Sequence, residues 1–519
     1  MVGRLLSIGK GMPRIHRAAV LALVALGALW AGARFAWLES SPTGFWIDES
    51  RSALHALCLA QTGHDGDGKP WPLFSDAFGG GQHPLLLTGF NTLWTRLAGS
   101  SIAAVRATSA IFVVLTCLGL FVLARGLLDL LDRLGASRDE LDDLRCFPWL
   151  VLLAALLSPW SFQYSRIAWE GPLAPALLVW ALAAVVRTRT HRAWVWPVLG
   201  GAAAGVAMTA YPPLRITTPL VLVAATWVLA ATIPRWPARR AFLLRAAVGA
   251  LALAAAFAPV AWPMLHGGLS SRTTDIAVFT PAYLDGNRGS SGRWWFLLRT
   301  VLDNLAVHLR PSYLFLTGDA NLRHSPRLVG QLSPVDSLCA LLALWFIVRR
   351  SVWPRRLEPG PPTVPLAARA LVVIAALAVV GAGFGTLPAA LTWDSLPHSL
   401  RSIGAWPFVA LFSGAVLAYA WRRVRGLPIV LVILAALYSG YYLPRYFAAY
   451  RDVDPDVFQR DVVAAVRAAK AKGGSAREAV LPFLSRHSDE YLRYFLMHYD
   501  GASCRESAAL LRELRAQQP

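Results

Sequence analysis

Residues 44–58, GFWIDESRSALHALC, place Asp48, Glu49 and Arg51 directly after the first long apolar run of the chain. A run of about 20 apolar residues can cross the hydrocarbon core of a bilayer as a helix. Charged side chains just beyond such a helix lie at the membrane surface, where water can solvate them. The stretch therefore predicts a polar site at the mouth of a membrane-spanning helix bundle.

The composition indicates an integral membrane protein. Hydrophobic residues make up 56% of the 519 residues and charged residues only 15%, which is too apolar for a soluble protein of this length. The net charge is +20, but the arginines stand in short clusters between apolar runs and form no single basic face. We therefore interpret the charge as a topology signal and expect no nucleic-acid partner.

About eleven apolar runs predict an all-α polytopic fold with about eleven transmembrane helices. The runs lie near residues 18–38, 103–128, 147–163, 169–186, 194–210, 214–233, 246–265, 334–348, 370–387, 403–420 and 427–443. The first run follows a basic leader but no convincing cleavage site, so we interpret it as an uncleaved anchor.

The arginine clusters predict the orientation, because arginine and lysine are enriched in cytoplasmic loops. With a cytoplasmic N-terminus, four basic loops fall on one side: Arg187/Arg189/Arg192, Arg235/Arg239/Arg240/Arg245, Arg349/Arg350/Arg355/Arg356 and Arg422/Arg423/Arg425. Eleven crossings of the cell membrane, which is the inner membrane where there are two, then place the C-terminus on the extracytoplasmic side.

The same topology divides the chain into two domains. Residues 1–443 form a transmembrane module with outer loops at about 39–102, 266–333 and 388–402, and residues 444–519 form a small extracytoplasmic domain. In the first loop, HPLLLTGFNTLWTRLAG predicts an interfacial helix. In the tail, two helical patterns flank the strand-like AVLPFL, which predicts a small α/β appendage.

The five cysteines, at positions 58, 117, 146, 339 and 504, show neither a CxxC pair nor a zinc-site spacing. Cys117 and Cys339 fall inside apolar runs, where a small buried thiol is the ordinary interpretation. We therefore predict no disulfide framework and no cysteine-rich metal site.

The order of motifs along the chain carries a family resemblance. After WIDESRSALHAL come a Gly-rich turn, a His-Pro pair and an arginine-bearing second span, and later YSRIAWEGPLAPALLVWAL, AMTAYPPLRITTPLVLV, GDANLRHSPRLVGQLSPVD and LPHSLRSIGAWPFVALFSGA. Over roughly residues 18–443 this succession resembles the GT-C superfamily of lipid-carrier-dependent glycosyltransferases. It is most similar to the protein O-mannosyltransferase and aminoarabinose-transferase group, glycosyltransferase family 39.

The resemblance implies an enzyme that moves a hexosyl or pentosyl group from a polyprenyl-phosphate carrier to an extracytoplasmic protein, glycolipid or polysaccharide. A carboxylate above the bilayer can accept the proton of the acceptor hydroxyl as its oxygen attacks the anomeric carbon. We expect Asp48 to be this base, with Glu49 as the alternative, because adjacent helical residues point about 100° apart. A single attack inverts the anomeric configuration, whereas retention would need a nucleophile.

The departing phosphate needs fixed cations. Arg51 lies one turn after Asp48 in a spacing that resembles the aminoarabinose transferases, although an interfacial cation is the alternative. Arg401 of PHSLR, with His398 in the same motif, is a second candidate, because guanidinium binds phosphate bidentately. Arg215 of YPPLR is a third, or it pins the proline bend.

For the remaining candidate site residues, a purely structural role explains the sequence as well as a functional one. Arg166 and Glu170 form either an i,i+4 ion pair or a group that orients substrate or metal. His83 either binds a sugar or caps the interfacial helix. Asp319 and His324 lie together in a large outer loop and could contribute to a metal or carrier site. No organic cofactor is implied, and a divalent cation, with its ligands unassigned, stays open.

Two alternative functions are compatible with the same number of transmembrane helices. A transporter or flippase of lipid-linked glycans would place ionisable groups at mid-membrane depth and carry broken spans, whereas here the charges cluster at the outer mouth. A polysaccharide ligase or polymerase would join preassembled glycans. Nucleotide-sugar donors are disfavoured, because no Gly-rich phosphate loop stands between a strand and a helix.

Overall fold

The computed structural model describes residues 14–77, 81–266, 275–289, 292–352, 365–421, 423–449 and 455–517. Helices dominate this part of the chain. Its only sheet is an antiparallel pair of three-residue strands, β1 (Phe74–Asp76) and β2 (Gln82–Pro84). The prediction of an all-α polytopic fold is therefore confirmed.

The helices follow one another in chain order. They are α1 (Arg14–Ala33), α2 (Ile47–Thr62), α3 (Leu85–Ala98), α4 (Ile102–Arg133), α5 (Arg138–Asp143), α6 (Phe147–Leu157), α7 (Pro159–Tyr164), α8 (Leu173–Thr190), α9 (Val195–Ala210), α10 (Leu214–Ala231), α11 (Trp236–Leu265), α12 (Pro281–Asn287), α13 (Arg293–His308), α14 (Pro334–Val352), α15 (Leu366–Ala390), α16 (Trp406–Ala420), α17 (Leu427–Ala449), α18 (Arg460–Ala471), α19 (Ala476–Val480), α20 (Asp489–Asp500) and α21 (Cys504–Ala516).

Each of the eleven apolar runs contains a helix, but the helices differ in length. Among the described residues, seven helices are long and apolar enough to cross a membrane, namely α4, α8, α10, α11, α15, α17 and α16 with its preceding 3-10 turn. The run predicted at 147–163 is divided, since α6 ends at Leu157 and α7 begins at Pro159. Proline has no amide hydrogen to continue the helix, and Ser158 caps the new one.

The segments predicted to be outside lie together at one end of the bundle. The amide of Trp393, in the third outer loop, donates to the carbonyl of Ile276 in the second at 3.0 Å. Arg467 of the tail pairs with Glu39 of the first loop at 2.6 Å. The second and third of these loops therefore lie together, as do the first loop and the tail, and the ring of Trp46 in the first loop carries Arg323 of the second.

The other connections meet at the opposite end of the same helices. The amide of Ala367, at the start of α15, donates to the Glu140 carboxylate of α5 at 3.2 Å. Arg245 of α11 donates to the carbonyl of His191 between α8 and α9 at 2.6 Å. Of the basic clusters predicted for this side, Arg355, Arg356 and Arg422 lie outside the described residues.

The tail consists of helices α18–α21 in the described residues, so its predicted α/β character is wrong. The strand-like AVLPFL forms the end of α19 and a 3-10 turn over Leu481–Phe483. Ser475 caps α19 and Pro482 fits the first turn that follows, which favours helix over strand. In addition, α17 runs to Ala449, so the predicted domain boundary at residue 443 falls inside a helix.

The tail also packs against the first outer loop. Leu54 of α2 shares one apolar core with Val462 of α18 and Leu492 of α20. Cys58 of α2 and Cys504 of α21 form a disulfide, with their Cα atoms 5.2 Å apart. The prediction of no disulfide is therefore wrong, because a pair 446 residues apart leaves no local spacing signal. Cys117 and Cys339 are free and buried, as predicted.

Candidate active site

Two buried arginines fix the connection that leads from α1 into α2. Arg106 of α4 donates to the carbonyl oxygens of Leu38, Pro42 and Gly44 at 2.7–3.0 Å. Arg166 donates to the carbonyl oxygens of Ala33, Ala36 and Ser41, each at 2.7 Å. Both side chains are fully buried, so their bonds to the main chain hold the N-terminus of α2 in place. Arg166, expected near substrate or Glu170, is thus enclosed within the fold.

Glu49 anchors α2 from the inside. Its Oε1 lies 2.8 Å from Nε of Arg106 and its Oε2 lies 2.9 Å from Nη2. The same carboxylate accepts the amide hydrogens of Trp46 and Ala168, each at 3.0 Å. Since the side chain is fully buried and both of its oxygens are bound, Glu49 is a structural ion that holds the first turn of α2.

Asp48 lies in the first turn of the same helix and is half-buried. Its Oδ2 accepts a hydrogen bond from the indole of Trp46 at 3.1 Å. The guanidinium of Arg323 lies 3.8 Å from the centre of that indole ring. Burial lowers the pKa of the Arg323 guanidinium, and the negative charge of Asp48 opposes this shift. A carboxylate and a guanidinium therefore meet over one tryptophan at the outer end of the bundle.

Sequence reasoning did not single out Arg323 as a site residue. It belongs to the quoted stretch GDANLRHSPR, which lies far from Asp48 along the chain and has no helical periodicity. Its carbonyl accepts a hydrogen bond from Gln163 of α7 at 2.7 Å, and this contact fixes the loop beside α2. The available signal was an arginine in an outer loop, where the charge bias disfavours it.

A buried network lies next to Arg323. Oδ2 of Asp319 accepts from Nδ1 of His324 at 3.0 Å and from the amide and hydroxyl of Ser399 at 2.8 and 2.9 Å. The hydroxyls of Ser399 and Tyr164 lie 2.8 Å apart. Burial acts to raise the pKa of Asp319, but the hydrogen bond and charge of His324 and the Ser399 amide outweigh it and lower that pKa.

His398 completes this network from the third outer loop. Its ring lies 4.6 Å from the ring of His324, centre to centre, and Asp319, His324 and His398 each offer a ligand atom within 4.8 Å of the others. Along the sequence, Asp319 stands near His324, and His398 stands near Arg401. The two loops meet only through tertiary packing, so the triad could not be read from spacing.

Arg401 binds a carboxylate of its own loop. Its Nη1 and Nη2 lie 2.5 and 3.1 Å from the two carboxylate oxygens of Asp394, and Nη1 also donates to Thr392. A phosphate at Arg401 would therefore compete with Asp394. The role expected for Arg401 stays a prediction.

Two further candidates are Arg51, which belongs to α2, and His83, which belongs to β2. Arg51 is 3.8 Å from the carboxylate of Asp67. His83 is fully buried in β2, and neither ring nitrogen has a hydrogen-bond partner in the described part of the chain. Burial, with smaller contributions from His55 and Arg51, lowers the pKa of His83 to about 3. His83 is thus neutral, and α3 is capped at Pro84 without a side-chain hydrogen bond.

The two remaining candidates occupy the ends of neighbouring helices. Glu170 is half-buried just before α8, next to Trp169, whose ring lies 5.5 Å from that of His324. Nε of Arg215 donates to the carbonyl of Met208 at 3.3 Å. This contact ties α10 to α9 across the proline bend.

No known family profile matches the chain, and no curated protein matches it. ArnT of Cupriavidus metallidurans bound to undecaprenyl phosphate is similar in structure, with 16% identity, a TM-score of 0.46 and coverage of 96% of this chain and 77% of that one. Its apo state gives 17% identity, a TM-score of 0.42 and coverage of 93% and 85%. The Archaeoglobus fulgidus oligosaccharyltransferase in complex with Zn and sulfate gives 12% identity, a TM-score of 0.42 and coverage of 92% and 57%. These are GT-C enzymes, the kind that the sequence resembles.

Proposed function

We propose that this membrane protein is an inverting glycosyltransferase that moves a sugar from a polyprenyl-phosphate carrier to an acceptor on the extracytoplasmic face, with Asp48 as general base. One observation carries the proposal. Asp48 and Arg323, from segments far apart in sequence, meet over Trp46 where the outer loops converge. An anion and a cation held together in this way provide the two charges that the reaction requires.

The carboxylate of Asp48 takes the proton of the acceptor hydroxyl while the hydroxyl oxygen forms a bond to the anomeric carbon of the sugar. The bond between that carbon and the phosphate oxygen of the carrier breaks, and the electron pair leaves with the phosphate. Because this is one displacement, the anomeric configuration inverts. The fixed helix N-terminus supports the base, since Glu49 and Arg106 hold the first turn of α2.

Arg323 is placed to stabilise the leaving phosphate. The charge on the phosphate oxygen increases as the bond to the sugar breaks, so a preorganised cation lowers the barrier. The guanidinium presents several donors in one plane, which suits phosphate oxygens. Trp46 holds that plane on one face by cation–π contact at 3.8 Å, while the attraction of Asp48 keeps the cation at the site.

A lipid-linked donor fits the surface near these loops. Helix α13 exposes Trp294, Trp295 and Leu298, with 80%, 65% and 50% of each residue accessible. Large apolar side chains on one short helix are typical of an element that lies in the membrane interface. A carrier whose chain stays in the bilayer can present its phosphate at that level, next to the outer loops.

Two observations support the extracytoplasmic side for the site. The described arginines of the basic clusters, such as Arg187, Arg189 and Arg239, fall at the opposite end of the bundle, as arginines of cytoplasmic loops do. The disulfide between Cys58 and Cys504 lies at the same end as Asp48, and disulfides persist in oxidising compartments outside the cytoplasm. We therefore place the site and the C-terminal tail outside an inner membrane, with the N-terminus in the cytoplasm.

The direct test is to supply the purified protein with a panel of polyprenyl-phosphate sugars together with protein, glycolipid and polysaccharide acceptors, and to measure the acceptor-dependent release of the free carrier. We expect one or more donors to be consumed and Asp48→Asn to lower the turnover number by about 10²- to 10⁴-fold, as for loss of a general base. The stereochemistry of the product, read by NMR, should be inverted.

Asp139→Asn is the matched control, because Asp139 is an exposed carboxylate at the opposite end of the bundle. It should turn over at the wild-type rate. Normal turnover by the Asp48→Asn variant, or carrier release that requires no acceptor and no Asp48, would show that the assignment is wrong.

A further inference from the structure

We propose that Asp319, His324 and His398 bind one divalent transition-metal ion, of the Zn²⁺ type, which joins the second and third outer loops. The proposal concerns metal binding and loop architecture, and it does not depend on the sugar-transfer reaction. It starts from the placement of one carboxylate and two imidazoles, all buried, within 4.8 Å of one another.

The ligand chemistry selects the class of ion. Imidazole nitrogen suits Zn²⁺ and its first-row neighbours, whereas Mg²⁺ and Ca²⁺ prefer sites made of oxygen alone. Two histidines and one carboxylate form a common three-residue zinc set. The chemistry of the donors therefore favours zinc over the alkaline-earth ions.

The distances need little adjustment. With bonds of about 2.0–2.2 Å, neighbouring ligand atoms around zinc are roughly 3.0–3.5 Å apart. Oδ2 of Asp319 and Nδ1 of His324 are 3.0 Å apart, which is one edge of such a polyhedron. The ligand atom of His398 lies within 4.8 Å of the other two, so binding of an ion requires it to move closer to them.

The hydrogen bonds around the triad are compatible with an ion. The amide and hydroxyl of Ser399 orient the carboxylate of Asp319, as outer partners commonly orient metal ligands. The amide of Arg401 approaches Nδ1 of His398 at 3.3 Å, which is longer than a usual hydrogen bond. Coordination of His398 through Nδ1 would therefore replace this long contact.

A second group, His55, Asp65 and Asp67, has comparable spacing but does not support a metal site. Nε2 of His55 lies 2.8 Å from the carbonyl of Asp76, and Nδ1 accepts the amide hydrogen of Gly66 at 3.0 Å. Both nitrogens of His55 are thus bound to the main chain. In the Asp319 group, Nδ1 of His324 instead faces the carboxylate of Asp319 at 3.0 Å, which makes this group the better candidate among the described residues.

An ion at this position would act on the site through the residue next to it. His324 follows Arg323 directly, so coordination of His324 fixes the main chain on which the guanidinium stands. The same ion fastens that loop to His398 in the third outer loop. We infer a positioning role, in which the metal keeps Arg323 over Trp46.

The test is the metal content of the full-length protein, purified without an affinity tag, exposed to Zn²⁺ and dialysed against a weak chelator. We expect about one zinc per chain by elemental analysis in the wild type, and the same in His64→Ala, since His64 is exposed and lies outside the triad. His324→Ala and His398→Ala should bind zinc at least about tenfold more weakly.

Replacement by Co²⁺ provides a second measurement on the wild-type protein alone. Visible absorption of the Co²⁺ form should report nitrogen and oxygen ligands and should disappear on addition of excess Zn²⁺. A wild-type protein that retains no metal, or a His398→Ala variant that binds zinc as the wild type does, would overturn the proposal. Neither readout uses carrier release, so failure here is distinguishable from failure of the proposed function.

Discussion

The carboxylate of Glu49 and the guanidinium of Arg106 form a bidentate ion pair with both side chains fully buried. The pair links the first turn of α2 to α4 one residue away from Asp48. Arg106 also donates to three carbonyl oxygens of the connection before α2. The position of the proposed base is therefore set by groups that take no part in the chemistry.

Arg106→Ala should destabilise the protein strongly, by about 3–5 kcal/mol, because it leaves the charge of Glu49 buried without a partner. Thermal unfolding in detergent measures the effect. Asp303→Asn is the control, since Asp303 pairs with Arg299 on the surface and such pairs contribute about 0–1 kcal/mol. Equal melting temperatures for the Arg106→Ala variant and the wild type would contradict the anchoring role.

Arg323→Ala should lower kcat/KM for the lipid-linked donor by about 10- to 100-fold, the usual effect of losing a hydrogen bond to a charged group. Steady-state kinetics with varied donor concentration measures it. Arg327→Ala is the matched control, because Arg327 is an exposed arginine of the same loop. If the two variants gave the same kinetic constants, Arg323 would not contact the phosphate.

The disulfide between Cys58 and Cys504 can be observed directly by mass spectrometry. Proteolysis without reduction should yield one crosslinked peptide pair that contains Cys58 and Cys504, and mass spectrometry identifies it. Cys117, Cys146 and Cys339 are free and buried, so they should react with an alkylating reagent only after unfolding. Alkylation of Cys58 in the native, unreduced protein would be inconsistent with the bond and with the oxidising side of the membrane.

The buried, neutral His83 should make the folded protein less stable as the pH falls. The unfolded chain protonates His83 near its ordinary pKa of 6.5, whereas burial holds the folded-state pKa at about 3. Protons therefore favour the unfolded state as the pH falls from about 6.5 towards 3, with an effect on the order of 4 kcal/mol at the lower end. Melting temperatures of the wild type should fall more steeply over this range than those of His83→Gln. Parallel pH profiles for the two proteins would refute the assignment.

The sequence predicted the helical architecture because membrane crossing imposes long apolar runs, and such runs are legible without tertiary information. It also selected Asp48 for the outer mouth. It could not identify Arg323 or the position of His398, because both lie in loops whose partners are set by packing between segments far apart. Arg106 and Arg166 are comparable cases, since an arginine at the end of an apolar run gives no indication of which carbonyl oxygens it will bind.

The strand predicted in the tail shows a different limit. A six-residue apolar run such as AVLPFL fits a buried strand or a short helix equally well, and the flanking Ser475 decides between them by capping α19. The disulfide illustrates the same limit for covalent structure, because connectivity between distant cysteines cannot be deduced from their spacing.

The bond between Cys58 and Cys504 has a consequence for biosynthesis. The ribosome makes the helix that carries Asp48 long before its crosslinking partner, because Cys504 follows Cys58 by 446 residues. A nascent or prematurely terminated polypeptide therefore cannot lock that helix against the tail. The covalent link between that helix and the tail therefore forms only after Cys504 has been translated and has met Cys58 in an oxidising environment.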